Sequence, residues 1–230
     1  MSTRLVYMDG IKYILFDLDG TILDFKEGER CAFIDTIKNN SGYVPNDREI
    51  EEFSRVNEYY FNEYKNGIMD RKKFHYRRFE EIYKYLNIEG NIVESNNYYV
   101  NSLKYQSQVF DDVIEVLEYL NKKYKMYIAS NGMGSVQAKR IKDADIDKYF
   151  IKNYISEDIG FNKPDIGFFE YIFNDINDYD KSKYVIIGDR IDSDILGGIN
   201  AKINTIYVNR ENNKYDGLMV KDLREIMNIL

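Results

Sequence analysis

The segment Ile11-Lys12-Tyr13-Ile14-Leu15-Phe16-Asp17-Leu18-Asp19-Gly20-Thr21 constrains this chain more than any other stretch. Its apolar run reads as a buried strand. Side chains two apart on a strand share a side, so Asp17 and Asp19 project together where the strand ends. Gly20 permits a sharp backbone turn there. Two adjacent carboxylates repel unless a cation or a proton lies between them. The pattern suits a metal site in which one aspartate is a nucleophile and the other an acid/base group. The plain alternative is a strand closed by an Asx-type turn.

From residue 107 onward, strands and helices alternate. Asp111–Tyr124 reads as a helix, Lys125–Ser130 as a strand, Ser135–Ala144 as a helix, and Tyr154–Ser156 as the end of a short strand. Ile166–Ile176 reads as a helix, Tyr184–Asp189 as a strand, Asp194–Asn200 as a helix start, Asn204–Val208 as a strand and Val220–Ile229 as a final helix. This alternation predicts an α/β fold, a Rossmann-like three-layer parallel sheet with helices on both faces. Ligands of such sheets bind at the carboxyl ends of the strands, where Asp17, Asp19, Ser130 and Asp189 all fall. Residues 24–106 differ. Asp47–Asn66 and Asp70–Leu86 carry aromatic residues at helical spacing, with no convincing strand between them, so an inserted all-helical domain is expected. The expected division is a core of 1–23 and 107–230 with an insert of 24–106.

Composition narrows the function classes. A chain of 230 residues can form one large domain or a core with an insert, and two Pro and 14 Gly argue against long disordered linkers. The net charge of −7 opposes binding to a nucleic-acid duplex. The one basic cluster, Arg71-Lys72-Lys73 with Arg77 and Arg78, precedes Glu80 and Glu81 and reads as a solvated helix face. No apolar stretch approaches the roughly 20 residues that span a bilayer. The apolar run near the N-terminus is short and leads straight into Asp17, unlike a signal peptide. Cys31 is the single cysteine, which rules out an internal disulfide and a thiol-metal site and fits a reducing cytoplasm. Cys31 reads as a packing residue, and the lone His75 as a surface or packing one. A small anionic substrate remains compatible, because a cation and helix N-termini can reverse the local field.

Three further segments accompany the first: Ile128-Ala129-Ser130-Asn131-Gly132, Lys163-Pro164-Asp165, and Gly188-Asp189-Arg190-Ile191-Asp192-Ser193-Asp194. Singly, Ser130 and Lys163 read as solvated loop residues, and Asp189 and Asp194 as helix caps. Together, in this order, the four segments resemble the motifs of the haloacid dehalogenase superfamily of phosphohydrolases, over nearly the whole chain. The insert is similar to the helical cap that one subclass carries between its first and second motifs. Tyr64-Lys65-Asn66-Gly67, Ile155-Ser156-Glu157-Asp158-Ile159-Gly160 and Ser193–Ala201 look like the pyrimidine 5′-nucleotidase-like members.

The resemblance implies a Mg²⁺-dependent phosphomonoester hydrolase, with Asp17 as nucleophile forming an aspartyl-phosphate and Asp19 as general acid/base. It implies Mg²⁺ held by Asp17, the Asp19 carbonyl and Asp189, with Asp194 holding a metal-bound water or orienting a neighbour. It also implies phosphate oxygens bound by Ser130, Asn131 and nearby amides, and charge neutralised by Lys163. Asn57, Tyr60 and Tyr64, on one helix face, are the candidates for substrate specificity. The expected substrate is a small phosphorylated metabolite, a nucleoside 5′-monophosphate first, acted on in the cytoplasm by a monomer or weak homodimer. Two departures stand out: Arg190 occupies a position often held by a small hydroxyl residue, and Lys202 one where Gly is usual. The competing readings are a sugar-phosphate phosphatase or phosphomutase of the same superfamily and a non-catalytic phosphate- or nucleotide-binding regulator. A metal-free dehalogenase is disfavoured, because it needs neither Asp19 nor a cation.

Overall fold

Strand β1, Tyr13–Phe16, is buried along its whole length at the middle of a six-stranded sheet. The computed structural model describes residues 8–230, so the first seven residues of the expected core segment lie outside it. The strands are β1, β2 (Lys125–Ser130), β3 (Lys152–Ile155), β4 (Tyr184–Gly188), β5 (Asn204–Val208) and β6 (Met219–Val220). Their order across the sheet is β3-β2-β1-β4-β5-β6, and every pairing is parallel. In register, Phe16 lies beside Ile128 on one side and Ile187 on the other. β4 and β2 thus run one and two residues past the end of β1, and their carboxyl ends lie side by side where chain order reverses about β1.

The helices are α1 (Phe25–Ser41), α2 (Asp47–Lys65), α3 (Arg71–Leu86), α4 (Ile92–Leu103), α5 (Val113–Leu120), α6 (Gly134–Asp143), α7 (Ser156–Ile159), α8 (Ile166–Ile176) and α9 (Leu196–Ala201). Strand alternation builds two cores. Ile14, Phe16, Ile128 and Ile187 pack with Val116, Leu117 and Leu120 of α5 and with Leu223 and Ile226. Tyr13, Leu15, Ala129 and Ile186 face the other way, onto Phe168, Phe169, Ile172 and Phe173 of α8.

The chain divides into two compact units. One runs up to Asp24 and resumes over Gln108–Leu230, and the other is Phe25–Ser107. At the edge of the first unit the Asp24 amide donates to Gln108 O at 2.8 Å, and Leu23 bridges Val109 in antiparallel sense. The second unit is α1–α4. Asn46 and Glu49 form a capping box on α2, and Asp70 caps α3 through the Lys73 amide. Its centre is aromatic: Phe33 and Phe53 stack at 4.1 Å, and Phe79 and Tyr99 lie 5.6 and 5.4 Å from Phe53.

Three sequence expectations change. Arg78, read as part of a solvated face, is buried among Phe74, Phe79 and Tyr99 and donates to Asn57 and Asn96. It is turned about 100° round α3 from the exposed Arg77, and its burial is compensated by two amide acceptors and three ring faces. The expected final helix from Val220 is instead the short β6 followed by a 3₁₀ segment, Leu223–Asn228. Val220 pairs with Val208 and its carbonyl accepts from Asn209, which commits that backbone to the sheet. The helix start expected at Asp194 is the end of a wide π-type turn, Ile191–Ile195, that runs into α9.

Candidate active site

Asp17 is the residue after β1, and its amide donates to Ile187 O at 2.9 Å, so its backbone is held to β4. Its Oδ1 accepts from Lys163 Nζ at 2.7 Å. The same ammonium donates to Asp194 Oδ1 at 2.6 Å and to the Ala129 carbonyl, so all three of its protons are used. Lys163 is brought there by the loop after α7. Asn131 clasps that loop, its side chain accepting from the Lys163 amide and donating to the Lys163 carbonyl, both at 2.8 Å. The Asn131 side chain thus serves Lys163, and Ser130 remains the side-chain hydroxyl at the end of β2.

Asp189 follows β4. One carboxylate oxygen each from Asp17, Asp189 and Asp194 lie within 4.8 Å of one another. Thr21, fully buried, sits between two of them, with Oγ1 3.5 Å from Asp17 Oδ2 and 3.3 Å from Asp189 Oδ1. Gly20 makes this approach feasible. Its φ is +84°, and a Cβ there would run into the Asp189 carboxylate.

Burial pushes the Asp17 carboxyl up to about 7; Lys163 pulls it down, and the neighbouring Asp194 and Asp19 add to the rise. Burial, then Asp17 and Asp194, raise Asp189 well above the usual carboxylate range. Burial lowers Lys163, but Asp17 and Asp194 outweigh it and keep it firmly charged. One ammonium therefore stands against three carboxylates. Asp194 has both oxygens engaged, by Lys163 and by the Arg190 amide at 3.0 Å, whereas Asp17 Oδ2 and Asp189 Oδ1 meet the Thr21 hydroxyl at 3.5 and 3.3 Å. A hard divalent cation fits that donor set and would relieve the repulsion.

Asp19 points differently. Its two oxygens accept from Gln137 and Arg140 of α6. Sequence reasoning passed over both residues, and also gave Thr21 no role. The only signal was a spacing of three that places Gln137 and Arg140 on one helix face. The Arg190 guanidinium pairs with Asp192 at 3.2 Å. In the helical unit, Asn57 is buried between Glu29 and Arg78, Tyr60 donates to Glu81 at 2.6 Å, and Tyr64 stacks on Phe74 and accepts from Arg71. His75 packs against Phe74, and burial together with Arg78 and Arg71 depresses it to about 3.

Residues 14–208 match the haloacid dehalogenase-like hydrolase family. The chain is 29% identical to the HAD-hydrolase YfnB of Bacillus subtilis, over 88% of this chain and 86% of that one. It is 29% identical to the pyrimidine 5′-nucleotidase PynA of Streptococcus pneumoniae (86% and 84% covered) and 27% identical to the pyrimidine 5′-nucleotidase YjjG of Escherichia coli (86% and 85%). A crystal structure of YfnB bound to magnesium superposes with a TM-score of 0.89 at 26% identity, covering 95% of this chain and 98% of that one.

Proposed function

The chain belongs to the haloacid dehalogenase-like hydrolases, and from that premise we propose that it is a Mg²⁺-dependent phosphomonoesterase working through Asp17. The observation that carries the reading is the Asp17 carboxylate itself, bonded to a buried ammonium and facing Asp189. Mg²⁺ would be held by Asp17, Asp189 and the Asp19 carbonyl, and would supply positive charge to the transferring phosphoryl group. The magnesium bound by the similar YfnB structure supports that choice of ion.

In the first step an Asp17 oxygen attacks phosphorus in line. The O–P bond to Asp17 forms as the bond to the leaving oxygen breaks, and Asp19 gives that oxygen its proton. In the second step water attacks phosphorus, Asp19 takes its proton and the Asp17–phosphorus bond breaks. Ser130 and adjacent amides hold phosphate oxygens. Lys163 offsets charge on Asp17 and the transferring group while keeping the nucleophile aligned. Retention of both a second aspartate and a metal-type carboxylate set disfavours a non-catalytic binding protein.

The two similar pyrimidine 5′-nucleotidases support a nucleoside 5′-monophosphate as the first substrate to try. The test is phosphate release from a panel of nucleotides, sugar phosphates and phosphoglycolate, with Mg²⁺ and with EDTA. Release from nucleotides that stops in EDTA and is lost in Asp17→Asn is expected. Full activity in EDTA overturns the metal, normal turnover by a folded Asp17→Asn overturns the nucleophile, and isomerisation of a sugar phosphate without phosphate release points to a phosphomutase.

A further inference from the structure

Helix α6 buries two long polar side chains: Gln137 is 2% exposed and Arg140 1%. Both reach the same carboxylate. Gln137 Nε2 donates to Asp19 Oδ2 at 2.6 Å, and Arg140 Nη1 donates to Asp19 Oδ1. Arg140 Nη1 also donates to Gln137 Oε1 at 3.0 Å. A guanidinium only donates, so this contact makes Oε1 the acceptor end of the amide and turns Nε2 toward the site.

Gln137 Nε2 has a second acceptor, Ser130 Oγ, at 3.0 Å. The Gly132 amide donates to the same Ser130 oxygen at 3.2 Å. A hydroxyl has two lone pairs and one proton. With both lone pairs occupied, Ser130 keeps its proton to give to an anion. Gly132 is part of the arrangement, because a Cβ there would collide with the Gln137 side chain. If α6 needed only to pack, Leu or Met would fill this space without desolvating a guanidinium.

We propose that Gln137 and Arg140 are positioning residues of the phosphoryl-transfer site. Together they aim the Asp19 carboxyl, and Gln137 also fixes Ser130 as a donor toward phosphate. The pair thus couples the group that handles the proton to the group that holds the phosphoryl oxygens. This assignment rests on the phosphatase reading above.

The test uses the full chain with Mg²⁺ and two substrates. One is a nucleoside 5′-monophosphate, whose alkoxide leaves poorly, and the other is p-nitrophenyl phosphate, whose phenolate leaves without much help. Arg140→Met should lower kcat on the nucleotide by about 10²-fold, several-fold less on the aryl ester, with KM nearly unchanged. Arg140→Lys, which keeps a donor, should recover most of that loss. In an Asp19→Asn background, Arg140→Met should cost less than about 3-fold more, because its effect passes through Asp19. Gln137→Leu should in addition weaken inorganic phosphate binding about 10-fold by calorimetry, through Ser130. Equal losses on both esters, undiminished in the Asp19→Asn background, would mean a structural role and overturn the assignment; so would variants as active as the parent. If Arg140→Met fails to fold, Gln137→Leu and Arg140→Lys carry the same comparison. A parent chain that releases phosphate from neither ester nor from any member of the wider panel overturns the phosphatase reading and this assignment with it. Parent turnover with indifferent variants overturns only the assignment.

Discussion

Lys163 Nζ lies 2.7 Å from Asp17 Oδ1, and the two side chains are only 1% and 10% exposed. This pair lies between residues far apart in sequence and fixes the candidate nucleophile before any substrate arrives. Its ammonium is shared with Asp194. Removing it leaves two buried carboxylates uncompensated.

Lys163→Met is therefore expected to destabilise the chain by ~3 kcal/mol and to reduce kcat by about 10²–10³-fold. Calorimetric melting and phosphate release measure the two losses. A variant that melts and turns over like the parent would show that Lys163 carries neither role.

The raised carboxyl of Asp17 sets a pH dependence for the metal-free chain. Its folded pKa is about 7 against 3.8, so between those values the fold binds more protons than the unfolded chain. Stability is fully present below pH 3.8 and is lost as pH rises toward 7. Asp189, shifted the same way, adds to the slope. The expected loss in EDTA is about 2–4 kcal/mol over that window. Mg²⁺ competes with protons for these oxygens and should raise Tm more at pH 7.5 than at pH 5. Melting curves that are flat with pH and indifferent to Mg²⁺ would contradict this electrostatic picture.

Within the helical unit, Arg78 donates to Asn57 Oδ1 at 2.8 Å and to Asn96 Oδ1 at 2.9 Å. Arg78→Met strands both acceptors in a buried site and removes the cation facing Glu29. A cost of ~3 kcal/mol is expected, with faster amide exchange concentrated in α1–α4. A variant whose exchange pattern matches the parent would refute a structural role for this buried network.

Lys202 ends α9 with φ +60°, where a side chain is strained and glycine is not. Lys202→Gly should stabilise the chain by ~0.5–1 kcal/mol, read from the denaturant midpoint at unchanged slope. A lowered midpoint would mean that the lysine side chain contributes more than its backbone costs.

Helix α8 and strand β5 were legible to the residue, because an apolar period of 3.6 and a short β-branched run each stand between clear turn signals. The two cores followed from the alternation along β1, β2 and β4. The structure brings Asp17, Lys163, Asp189 and Asp194 together beyond the carboxyl ends of β1 and β4. Gln137 and Arg140 were not legible. A polar pair three apart on a helix has the same signature whether it faces water or a buried carboxylate, and only the tertiary fold decides. Arg78 misled for the same reason in reverse: its neighbours Arg77 and Glu80 are solvent-facing, and a single position turns the residue inward. The wide turn at Ile191–Ile195 escaped because its bonding depends on Asp194 being held by Lys163 and the Arg190 amide.

The bond from the Asp24 amide to Gln108, with the Leu23–Val109 bridge beside it, closes the place where the helical segment leaves the sheet unit and returns. Seen from the sheet, a long excursion has the endpoints of a tight hairpin. Loop-closure entropy rises only slowly with length once the ends are fixed, so the unit bearing Asp17 is nearly indifferent to what is threaded between them. The length and sequence of the insert thus weigh little on the closure of the sheet unit, whose junction is held by its own backbone.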